Sequence, residues 1–149
     1  MDRKIISVVN ELIETSRDGE KGFIKSAEEV KEPQIKSLFL KKAQTCGTAA
    51  RELEEKLKAH GGSVEEGGSV SGALHRGWVD VKAAVTGRDT AAILAETERG
   101  EDYAKKVYRE ALEQELPGDL RQLIERQFQG VIANHDEVRN LRNTYRSAS

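Results

Sequence analysis

Glu20, Glu98, Glu101 and His135 are the side chains whose types and spacing could do chemistry, because each falls on or beside the apolar stripe of a helical pattern. An ionised group there is costly unless it is paired or bound to a cation. Carboxylate oxygens together with an imidazole nitrogen suit iron, manganese or zinc. With a rise of about 1.5 Å per residue and helices starting near residues 2, 33, 89 and 119, Glu20, Cys46, Glu101 and His135 come to lie roughly 20–27 Å along one bundle. They form one layer, with Glu98 on the adjacent rim of the third helix. Two arrangements satisfy such a layer. One is an internal polar cluster in which Tyr103 or Tyr108 donates hydrogen bonds. The other is a single divalent metal, with redox chemistry as its extension. A di-iron centre of the ferritin type takes one Glu from each of two helices and a Glu-x-x-His pair from each of the other two. Here Ile132 stands three residues before His135, and the second helix has no Glu-x-x-His pair. At most three or four ligands remain, and no catalytic residue is assigned.

The other reactive side chains point to structural roles. Cys46 is flanked by Thr45, Gly47 and Thr48 with no histidine nearby in sequence to activate it, so a buried, inert thiol is expected rather than a nucleophile. His60 is expected to cap the end of the second helix. His75 and Trp78 lie in the middle connection, where Trp78 reads as an apolar anchor against the bundle, with a ligand or partner patch as the alternative. There is no phosphate-binding glycine loop, nucleophile elbow or paired-cysteine zinc motif.

The elements that must position these groups follow from periodicity. Ile5, Val9, Leu12, Ile13, Phe23, Ile24 and Ala27 mark one face of a long helix. It ends near Lys31, because Pro33 disfavours helical geometry before it and opens the next helix. Gly19 and Gly22 interrupt that first helix at its centre, where small residues let a neighbouring helix approach or leave room around a carboxylate. The second helix runs from Pro33 to the Gly61-Gly62 stop. Residues 61–72 read as a flexible linker, followed by a short amphipathic helix around Leu74, Trp78, Val81 and Val85. A third long helix is capped by Asp89 and stops at Leu116-Pro117-Gly118. The fourth is capped by Asp119 and carries Leu120, Leu123, Ile124, Phe128, Val131, His135 and Val138 inward. The fold class is therefore all-α: one domain spanning 1–149, a four-helix bundle with a long crossover between helices two and three. A simple up-down-up-down order is the alternative. Arg17-Asp18-Gly19-Glu20 and Glu98-Arg99-Gly100-Glu101 form a faint echo that two related hairpins would produce.

Bulk composition narrows the function classes. The 149 residues suffice for one core without staples, and 34% charged against 37% hydrophobic residues fits helices with densely charged outer faces. The net charge of −2 and the alternation of signs leave no basic stripe for nucleic acid. Asp2, Arg3, Lys4 and Glu11 break up the apolar core that a secretion signal needs, and no run is long enough to span a membrane. A lone cysteine fits a reducing compartment. The expectation is a cytoplasmic protein that engages neither nucleic acid nor membrane.

HRGWVDVKAAVTGRD (75–89), ERGEDYAKKVYREAL (98–112), IERQFQGVIANHDEVRNLR (124–142) and LIETSRDGEKGF (12–23) resemble a bacterial family of ferritin-like four-helix bundles described as a domain of unknown function. The resemblance covers nearly the whole chain. It implies the ferritin-like crossover bundle and places Glu20, His75, Trp78, Glu101 and His135 on the family's characteristic positions. The function expected from residues and resemblance together is a non-enzymatic interaction or stress-related bundle with a degenerate di-iron centre, acting through a homo-oligomer or a protein partner. The alternative is a metal-binding or redox protein with iron or another divalent metal on Glu20, Glu98, Glu101 and His135.

Overall fold

The computed structural model describes residues 2–65 and 90–148. Four helices, and no strand among the described residues, make up the structure: α1 (Arg3–Glu29), α2 (Pro33–Ala59), α3 (Thr90–Leu112) and α4 (Gly118–Ala148). The short connecting helix, the Asp89 cap, His75 and Trp78 lie outside the described residues.

Local chemistry sets the ends. Asp2 caps α1 by accepting from the Lys4 amide at 2.9 Å. The helix stops where Val30 turns extended (φ −80°, ψ 150°), and Pro33 opens α2 three residues later. At the other end of α2, His60 is the C-cap residue, Gly61 adopts φ +82°, and the Gly62 amide donates to Leu57 O at 2.9 Å. That is a Schellman closure, and its positive φ is what a glycine supplies there. The third helix departs from expectation by ending at Leu112 instead of Leu116. Arg121 closes that end from the next helix: its guanidinium donates to Leu112 O, on the last helical residue, at 3.1 Å and to Gln114 O, two residues beyond, at 2.5 Å. Asp119 likewise lies inside the first turn of α4, not at its cap. Its carboxylate sits 3.1 Å from the His60 ring and 3.3 Å from Lys56 Nζ. Those contacts, the His60 bond foremost, hold its carboxyl below the usual range.

The same contacts fix helix directions. Thr90, at the start of α3, donates to Glu32 at the start of α2 (2.7 Å), while the end of α2 meets the start of α4 through His60 and Asp119. Helices α2 and α3 therefore run parallel, and the chain between Ala59 and Thr90 joins opposite ends of the bundle. Helix α1 packs on α2 and α3, α3 packs on α4, and α2 barely touches α4.

The apolar core is in two parts. One end gathers Phe23, Ala27, Phe39, Ala43, Ile93, Leu94 and Val138. The other gathers Val9, Leu12, Leu53, Leu57, Val107, Tyr108, Leu120 and Ile124. Between them, at mid-height of all four helices, lies a belt containing Gly19, Cys46, Glu98, Glu101 and His135. Glu20 is next to this belt, whereas His60 stands at the end of α2.

Candidate functional site

Residues 98, 101 and 102 are distributed around α3 by helical geometry. At about 100° per residue, Asp102 lies roughly 40° to one side of Glu98 and Glu101 roughly 60° to the other. Glu98 and Asp102 face His135 on α4, whereas Glu101 turns into the bundle interior. One layer of sequence thus supplies two separate sites.

On the α3–α4 seam, His135 Nε2 lies 2.5 Å from Asp102 Oδ1 and 3.6 Å from Glu98 Oε2. One donor atom from each residue falls within 4.8 Å of the others. Glu98 and His135 are buried, while the Asp102 side chain is 60% exposed and opens the group to solvent. A second layer holds the first. His135 Nδ1 faces Asp136 Oδ1 at 3.2 Å, and a carboxylate can only accept, so Nδ1 carries the hydrogen. That bond is also the main reason the Asp136 carboxyl lies below its usual range. The other Glu98 oxygen accepts from Arg142. Nε2 consequently faces two carboxylate oxygens and bears either a proton or a metal ion. Two carboxylates and one imidazole, with a carboxylate behind the imidazole, form a ligand set of the kind that holds first-row divalent ions.

In the interior, Glu101 is only 4% exposed and its Oε1 has no hydrogen-bond partner among the described residues. Burial raises its carboxyl pKa to about 8. Lys42 opposes the shift, while Glu137, Asp102 and Glu98 add to it. Lys42 is itself buried, and its ammonium donates to Glu137 at 2.7 Å and to Asn134 at 2.8 Å, bridging α2 to α4. Glu101 lines a cavity of about 500 Å³ between α2 and α4, whose wall also includes Ser16, Gly19, Cys46, Tyr108 and Gly130. The Cys46 thiol is pushed up to about 12 by burial, with Glu101 and Glu20 adding to the shift, in keeping with an inert thiol. A Cβ on Gly19 would come within 3.1 Å of its sulfur. This glycine therefore lets α1 approach α2.

The residues singled out in sequence are thus divided. Glu98 and His135 meet, and Asp102 joins them. Glu101 is not in that group. Glu20 stands on the α1–α2 seam, partly exposed, with its carboxylate 3.4 Å from Arg17. The single polar cluster expected from the layer is not formed. Nor does Tyr108 serve it, since it donates to Gln127 (2.8 Å) and contacts Ser16 (3.4 Å). Asp102 escaped the sequence reading because its side chain falls outside the inward stripe. The signal that could have found it is the Glu98/Asp102 spacing of four residues, which puts two carboxylates on one helix face.

The model of a family described as Domain of unknown function (DUF2383) matches residues 4–114. Glu98 and Asp102 fall within that match and His135 beyond it. No curated protein matches the chain.

Proposed function

The chain belongs to the DUF2383 family, and on that premise we propose that it is a non-enzymatic metal-binding bundle holding one divalent first-row ion on Glu98, Asp102 and His135. The observation that carries this reading is the convergence of three donor atoms whose buried members are each held from behind, His135 by Asp136 and Glu98 by Arg142. Manganese, iron(II) and zinc all accept such a mixed oxygen and nitrogen set. The reading also makes the chain a ferritin-like bundle, supported by the parallel run of α2 and α3, which a crossover connection requires. A ferritin-like di-iron centre does not fit its residues. Glu20 and Glu101 do not converge with the three ligands, no Glu-x-x-His pair exists, and no oxygen chemistry is derived through such a centre. A cytoplasmic setting is part of the proposal, supported by the lone free thiol. Self-association or docking to a protein partner is a second reading, supported by the exposed Ile24 and Leu40.

Equilibrium dialysis against Mn(II) or Zn(II), followed by elemental analysis, tests the site. The expected result is one ion per chain in the wild type and in Glu101→Gln, with loss in His135→Ala and Asp102→Asn. Retention in His135→Ala, or no retention in the wild type, would remove the proposal.

A further inference from the structure

The gap between α2 and α4 leaves apolar surface uncovered. Cys46 and Ala49 on α2, Ala104 on α3 and Val131 on α4 all line the cavity there, and each is only partly buried. Gly130 borders the same cavity, and nothing comes within 4 Å of the position its Cβ would take. The polar groups of the inner wall are already satisfied within the chain. Thr15 donates to Glu11 O at 2.8 Å, Tyr108 donates to Gln127 at 2.8 Å, and the Gln127 amide donates to Ala49 O and Glu52. Glu101 is 4% exposed and presents almost none of its carboxyl to the cavity. An occupant of the floor is therefore held by burial of apolar area and not by hydrogen bonds. The rim has the opposite character. Lys41, Arg51 and Arg126 border the cavity and are exposed, against one carboxylate at the rim, Glu52, which Arg126 and Gln127 already engage. The Arg51 guanidinium donates to the neutral Thr48 hydroxyl at 3.1 Å, while Glu20 and Glu137 pair with Arg17 and Lys42. In a chain of net charge −2 the rim is thus a local excess of positive charge.

We propose that this cavity binds an amphipathic monocarboxylate, with its hydrocarbon body along Cys46, Ala49, Ala104 and Val131 and its carboxylate at the rim against Arg51. The volume, about 500 Å³, is in the range of small-molecule sites. A guanidinium grips a carboxylate through two parallel N–H bonds, which an ammonium cannot do, so Arg51 is the pairing residue. Lys41, ten residues and about 15 Å along α2, adds only to the field. An ammonium head in the same place would be repelled by all the rim cations. Metal binding on the α3–α4 seam is a separate matter, because none of its three ligands lines the cavity.

Octanoate, octylammonium and butanoate separate the charge of the head from the length of the chain. NMR titration of the full chain in EDTA keeps the outcome independent of metal. The expected result is saturable octanoate binding with shifts clustered at Cys46, Ala49, Ala104 and Val131. Octylammonium should bind about tenfold more weakly, and butanoate roughly a hundredfold more weakly. Arg51→Glu, a change at an exposed position that should leave the fold intact, should abolish the preference for octanoate over octylammonium. Ala49→Leu, which fills part of the floor, should weaken octanoate binding by about tenfold. His135→Ala should change neither ligand's affinity. Absence of saturable octanoate binding, octylammonium binding as tightly as octanoate, shifts confined to another part of the chain, or an undiminished preference in Arg51→Glu would each overturn the proposal.

Discussion

A carboxyl held neutral by burial leaves a thermodynamic trace, and Glu101 provides one. Its folded pKa of about 8 lies above the ordinary 4.5. The folded state therefore binds the proton more tightly than the unfolded state. The stability this contributes is fully present below about pH 4.5 and is lost as pH rises towards 8. Urea unfolding of metal-free protein should show Glu101→Gln gaining on the wild type by on the order of a few kcal/mol between pH 5 and pH 9. Parallel pH profiles would mean that Glu101 is not buried as described. Behind His135, Asp136→Asn should weaken metal affinity by about 10–100-fold, read by competition with a chelator, without lowering stoichiometry at saturating metal. What was legible at this scale was residue type and height along the helix. Height came from rise per residue alone, but angle needs the packed neighbours. Glu101 and Asp102, one residue and about 100° apart, accordingly part company while Glu98 sides with Asp102.

The elements were legible wherever backbone chemistry punctuates the sequence. Pro33 and the Gly61-Gly62 pair act locally, and both helix ends fall where those residues put them. The end of α3 was not legible, because Arg121 closes it from the next helix and a side chain reaching back nine residues leaves no local mark. The positive φ of Gly61 yields an expectation of its own. Gly61→Ala should cost about 1–2 kcal/mol in urea unfolding, although nothing lies within 4 Å of the added Cβ. Gly47→Ala provides the contrast. There the added Cβ would meet the Glu20 carboxylate, the far end of a flexible side chain, so the helix should gain close to the ordinary alanine advantage of about 1 kcal/mol. If Gly47→Ala proved the more damaging of the two, the placement of Glu20 on the α1–α2 seam would be wrong.

At the level of the molecule, two apolar ends carry the fold and leave a polar belt between them, open on the weakly packed α2–α4 side. That side is spanned by polar bridges, among them Lys42 to Glu137 and Asn134, Gln127 to Glu52 and Ala49, and Arg126 to Glu52. Glu137→Ala should destabilise the protein by about 2–3 kcal/mol in thermal or urea unfolding, because it removes the carboxylate that pairs, among the described residues, with the buried Lys42 ammonium. Lys42→Met, which removes the charge itself, should cost far less. The bundle and its helix directions suit a cavity on one seam and a metal-ligand shell on the other. X-ray absorption at the metal edge of the zinc-loaded protein reads that shell directly. One imidazole and otherwise light oxygen donors are expected, with no sulfur and no second metal nearby. Sulfur scattering from Cys46, a metal–metal distance, or a shell without imidazole would contradict that expectation.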